Sequence, residues 1–94
     1  MITKKINLTA KAGKEGELEN LLKMMVMESK PEAGCVSYEL YQQKESLADF
    51  FLIEIWETAE QLEEHKATAH FAKFKELAPE LIEAKSSEEL NSFL

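Results

Sequence analysis

Glu54 and Trp56 stand two residues apart inside an apolar run, Phe50-Phe51-Leu52-Ile53-Glu54-Ile55-Trp56. His65, His70, Phe71 and Phe74 follow in an amphipathic segment. A carboxylate in such a run is costly unless it is paired or protonated. Burial favours the protonated form of a carboxylate, and a nearby imidazolium favours the ionised one. Glu54 therefore reads either as a general base or substrate acceptor, or as a structural carboxylate paired with Lys or His. Trp56 reads as a core aromatic or as the wall of a pocket for a flat ring. Its N–H then needs a partner, which a ligand or His65 can supply. Histidine is the natural proton carrier near neutral pH. A Glu54–His65 hydrogen bond would fix the imidazole tautomer, so His65 is the expected proton partner of this group.

Other side chains carry weaker signals. Tyr38 and Tyr41 fall on opposite faces of one strand, so one faces a core or pocket. Asn7 lies on the polar face of the first strand, which borders a cavity if that face is covered. Cys35, the single cysteine, opens an apolar segment and reads as a small buried hydrophobe. His65 and His70 are five apart. Ligand pairs on a helix favour three or four, so no metal site is expected. No glycine-rich phosphate loop, dinucleotide fingerprint, serine elbow or CxxC pair occurs.

The chain has 94 residues, with 18 acids against 11 basic residues and a formal charge of −7. That length fits one domain over residues 1–94 with one modest core. The charge argues against nucleic acid and anionic membrane surfaces as partners. No apolar run approaches the ~20 residues that span a bilayer. The charged N-terminus lacks an apolar stretch after it, so no signal peptide and a cytoplasmic location are expected.

The elements that must position these residues follow from periodicity. Ile2 to Ala10 alternates, with Ile6, Leu8 and Ala10 on the apolar face and Lys4 breaking it, which predicts a half-buried strand. Leu18, Leu21, Leu22, Met25 and Val26 form one helical stripe between Glu15 and Ser29, widened by Met24 and Met27. Cys35 to Gln43 and Phe50 to Glu57 read as strands joined by a polar hairpin. The second is apolar on both sides, with Phe51, Ile53 and Ile55 facing one way and Phe50, Leu52, Glu54 and Trp56 the other. Thr58-Ala59-Glu60-Gln61 is a capping box that starts a second helix. A break near Ala67–Thr68 restarts it, with Thr68 as a second cap, and Pro79 marks its end. Leu90 to Leu94 is the expected last strand, or a tail that pairs with a partner chain. The order is β-α-β-β-α-β, a ferredoxin-like α+β fold with two helices on one face of an antiparallel sheet. The third strand needs cover on its second face, so a homodimer is expected.

Pro31-Glu32-Ala33-Gly34-Cys35-Val36-Ser37-Tyr38-Glu39-Leu40-Tyr41, Glu54-Ile55-Trp56-Glu57 and His65-Lys66-Ala67-Thr68-Ala69-His70-Phe71 together resemble the antibiotic biosynthesis monooxygenase family. The likeness is closest to its small stand-alone, quinol-monooxygenase-like members. The resemblance implies a dimeric α/β barrel-type assembly and oxidation of a quinol or similar aromatic by O₂, with no cofactor, metal or flavin. Glu54, Trp56, His65, His70 and Phe71 match the family's shared motif, which implies catalytic roles for His65, Glu54 and Trp56 and substrate contacts from His70 and Phe71. The reading of the residues themselves adds Asn7, Tyr38 and Phe74 as expected substrate contacts. Haem-degrading relatives carry a histidine four residues past the aromatic matched by Phe71. Here that residue is Lys75, so haem is not expected. An isomerase or signal-processing enzyme acting on a phosphorylated metabolite is an alternative, but the lysines do not cluster in sequence. A non-catalytic dimeric binding module is another.

Overall fold

Seven elements follow one another in the computed structural model, which describes residues 1–93: β1 (Ile2–Ala10), α1 (Glu15–Ser29), β2 (Cys35–Gln42), β3 (Asp49–Trp56), α2 (Ala59–Lys66), α3 (Ala69–Leu81) and β4 (Ile82–Leu90). The strands form one antiparallel sheet in the order β2-β3-β1-β4. This is the ferredoxin-like arrangement with its second helical region split in two. The helices cover one sheet face. Between sheet and helices lie Leu8, Leu18, Leu22, Met25, Tyr38 and Trp56, all at most 2% exposed.

β3 is central, and its alternation sorts the two faces. Phe50, Leu52, Glu54 and Trp56 are buried under the helices, while Phe51, Ile53 and Ile55 remain half-buried on the other side. Register puts Tyr38 and Lys4 beside Glu54 on the helix face. Asn7, Phe51 and Tyr41 share a row of the open face.

The helix break arises as the cap residues require. The Thr58 hydroxyl accepts from Gln61 N at 3.1 Å, and the Thr68 hydroxyl accepts from Phe71 N at 3.2 Å. Thr68 also donates to His65 O at 2.7 Å, tying the end of α2 to the start of α3. The Gln61 side chain meets the Thr58 hydroxyl at 3.2 Å, so only half of the capping box forms.

Three expectations need correction. α3 runs two residues past Pro79, to Leu81. A proline in the last turn removes only one N–H, and Lys11 takes the free carbonyls, its Nζ bonding Pro79 O at 2.8 Å and its backbone N bonding Leu81 O at 2.9 Å. The last strand is Ile82–Leu90, not Leu90 to Leu94. Its side chains are almost all exposed. An edge strand pairs through backbone on one side, and charged residues such as Glu83, Lys85, Glu88 and Glu89 blunt its free side. Asn91 to Phe93 is irregular, and Leu94 lies outside the described residues. Met27 does not widen the helical stripe, being 74% exposed.

Candidate functional site

Glu54 is buried at 6% exposure, and its Oε1 accepts a hydrogen bond from Trp56 Nε1 at 2.9 Å. Residues two apart on a strand share a face, so the indole reaches back along the strand to its own neighbour. The carboxylate lines a cavity of about 230 Å³ between the sheet and α2 and α3. Ile6, Leu52 and Leu62 supply apolar wall, Phe71 and Phe74 supply aromatic surface, and Tyr38 stands beside Glu54. Burial, and then the Glu54 carboxylate, push the Tyr38 phenol well above its ordinary range. Tyr38 therefore stays a phenol, able to donate a hydrogen bond but not to act as a base.

His65 sits behind this wall. It is 1% exposed, with its ring 4.7 Å from Trp56, 5.2 Å from Phe71 and 5.7 Å from Tyr38. The expected Glu54–His65 hydrogen bond does not form. His65 Nδ1 instead meets Glu32 Oε2 at 2.6 Å, and His70 Nε2 meets the same oxygen at 2.8 Å. Trp56, its ring 4.7 Å from that of His65, donates to Glu54 instead. A carboxylate oxygen only accepts, so the ring nitrogens facing it donate. His65 Nε2 is buried and without a hydrogen-bond partner among the described residues.

The sequence pattern did not assign Glu32, although it stands inside the motif-like stretch from Pro31 to Tyr41. It belongs to the turn between α1 and β2, held by Glu32 N bonding Ser29 O at 3.0 Å and Cys35 N bonding Glu32 O at 3.1 Å. Gly34 closes that turn at φ +85, where a Cβ would collide with the Gln61 side chain. Its carbonyl accepts from Glu57 N at 2.9 Å. Gly34→Ala is therefore expected to lower stability by about 1–2 kcal/mol, read as a shift of the urea midpoint. An unchanged midpoint would show that the turn tolerates a side chain.

Two histidines and a carboxylate are also a common ligand set for divalent metals, and these three donor atoms lie within 4.8 Å of one another. Two ligands about 2.1 Å from one ion at a tetrahedral angle stand about 3.4 Å apart. The separations of 2.6 and 2.8 Å are those of hydrogen bonds. The group is a His–Glu–His clamp that joins the α1–β2 turn to both sides of the helix break.

Of the residues singled out from sequence, Glu54, Tyr38, Phe71 and Phe74 line one cavity. Trp56 and His65 pack directly behind it, and His70 joins the clamp. Asn7 does not belong with them. It lies on the opposite sheet face, where Nδ2 donates to Glu88 Oε1 at 2.6 Å and Ser86 Oγ at 3.3 Å. Burial, followed by the charges of Glu32 and Glu54, raises the Cys35 thiol above its ordinary range, which suits a packed thiol rather than a nucleophile. Three lysines also reach the cavity, Lys4, Lys66 and Lys85. Their positions in β1, α2 and β4 hid this grouping from the sequence.

The sequence profile described as antibiotic biosynthesis monooxygenase matches residues 1–77. An uncharacterized protein of Synechocystis sp. is 32% identical over 82 residues, covering 87% of this chain. The chain spans only 55% of that curated relative's length. Among solved structures, PA3566 from Pseudomonas aeruginosa is 31% identical with a TM-score of 0.95, and the match covers 99% of this chain and 94% of that one. A structure described as an antibiotic biosynthesis monooxygenase matches over 100% of both chains at TM-score 0.91 and 20% identity, a likeness of fold alone.

Proposed function

The chain belongs to the antibiotic biosynthesis monooxygenase family, and on that premise we propose that it oxidises a quinol or related electron-rich aromatic with O₂. One observation carries this reading. A buried carboxylate, held by an indole N–H, faces a cavity walled by Phe71 and Phe74. Such a cavity suits a flat ring, and the carboxylate is placed to meet a ring hydroxyl.

In this reading Glu54 takes the proton of one hydroxyl. The resulting quinolate gives one electron to O₂, and the radical pair recombines at a ring carbon. The hydroperoxide formed there loses water, and the proton held by Glu54 leaves with it. The sum is quinol plus O₂ giving hydroxyquinone plus water. The protein supplies proton transfer, orientation and exclusion of solvent, without metal or flavin. Trp56 fixes the carboxylate. His65 and His70, clamped by Glu32, fix Trp56 and the helix junction above the cavity.

The open sheet face supports a second copy of the chain as partner. Phe51, Ile53 and Ile55 are half-buried there with Tyr41 stacked on Phe51 at 5.4 Å, an apolar strip that a homodimer would cover. Sedimentation at about twice the 10.7 kDa chain mass is the expected result, and a monomer would contradict it.

Oxygen uptake by metal-stripped protein, measured across a panel of quinols and hydroxylated polycyclic aromatics, tests the reaction. Uptake coupled to hydroxyquinone formation supports it. Turnover that proceeds equally without oxygen would favour an isomerase working through the same carboxylate. Silence across the panel would favour a binding module.

A further inference from the structure

Charge around the cavity runs against the charge of the chain. Acids outnumber basic residues 18 to 11 overall, yet the cavity takes three lysines and one acid, Glu54. The lysines come from three separate elements. Lys4 is half-buried on the helix face of β1, Lys66 ends α2, and Lys85 lies on β4. Lys85 Nζ stands 5.6 Å over the ring of Phe74, so it borders the aromatic wall itself.

These ammonium groups are largely uncommitted. Lys4 stands in register between Glu54 and Glu89, but neither Lys4 nor Lys85 has an ion pair within 4.0 Å among the described residues. Lys66 meets Glu63 at 3.5 Å, with side-chain exposures of 48% and 71%, a contact that contributes little. Three like charges gathered at one apolar hollow favour an anion there.

We propose that the substrate of this cavity is an aromatic diol carrying an anionic group, a carboxylate or a phosphate ester. Its hydroxyl meets Glu54, its ring lies against Phe71 and Phe74, and its anionic group sits among Lys4, Lys66 and Lys85. The inference rests on the cavity being the substrate site, and it names the substrate class. One carboxylate on the central strand and three lysines from separate elements would orient such a molecule in one direction. A neutral quinol would lack that second anchor.

Binding tests the inference separately from turnover. Trp56 is the only tryptophan, fully buried and bonded to the cavity carboxylate, so its fluorescence reports occupancy. Under anaerobic conditions at low salt, hydroquinone is titrated beside its carboxylated and phosphorylated congeners. The anionic probes are expected to bind at least ~10-fold more tightly than the neutral one. That advantage should largely disappear at about 0.5 M salt. Whichever anionic probe binds more tightly identifies the group. The exposed pair Lys66→Gln and Lys85→Gln, combined, should cut the preference ~5-fold or more. Lys73→Gln, in the outer groove between α1 and α3, should leave it unchanged. Equal binding of neutral and anionic probes, or binding indifferent to salt, overturns the inference while leaving the oxygenase reading intact. Tight, salt-sensitive binding of an anionic quinol without oxygen uptake upholds the inference and overturns that reading.

Discussion

Glu54→Gln should reduce kcat for the accepted quinol by about 10²- to 10⁴-fold, the range that a positioned general base contributes. The substitution preserves shape. The amide oxygen can still accept from Trp56 Nε1, now 2.9 Å from Glu54 Oε1, so the indole keeps its partner. What is lost is the ability to take a proton. The effect should therefore fall on kcat, with a far smaller change in KM. Folding should be little disturbed, since the variant removes a charge from a site only 6% exposed without opening a cavity. Steady-state oxygen consumption together with a urea titration separates these effects. A variant that keeps wild-type kcat would make Glu54 a structural carboxylate and would move the proton step elsewhere.

Trp56→Ala should be the most destabilising single truncation at the site, costing about 3–5 kcal/mol. The indole is 0% exposed. It packs edge-on to Tyr38 at 6.5 Å and tilted against His65 at 4.7 Å. Its removal leaves a large hole at the base of α2 and strips Glu54 of its donor, leaving a buried carboxylate unpartnered. A domain of this size has roughly 5–14 kcal/mol to lose, so the variant should unfold at a much lower urea concentration than the wild type. Trp56→Phe restores part of the packing but not the N–H, and should fall between the two. A Trp56→Ala midpoint close to that of the wild type would show that the indole is not a core element.

The period-two pattern of β3 was legible because both of its faces are apolar. It sorted Phe50, Leu52, Glu54 and Trp56 onto one face and Phe51, Ile53 and Ile55 onto the other, and the structure puts the first set under the helices. The helix break was legible because Thr68 is a good cap. Its consequence was not. Residues five apart on a continuous helix point about 140° away from each other, which argued against His65 and His70 sharing a metal ion. The break resets that phase and turns both rings toward one oxygen of Glu32. That carboxylate reaches them from a turn 33 residues before His65, a convergence no local periodicity encodes. β4 was misplaced because an edge strand buries little, so its sequence carries no apolar signal. Asn7 was assigned to the correct face of β1, but the cavity lies under the other. Lys4 looked like a flaw in that strand's apolar face. It is where β1 meets the cavity.

The most direct measurement is isotopic. Wild-type protein turns over a quinol under oxygen-18 gas, and both products are analysed by mass spectrometry. One labelled oxygen atom is expected in the hydroxyquinone and the other in water, the division a monooxygenase makes. An organic product free of gas-derived oxygen would contradict the oxygenase reading.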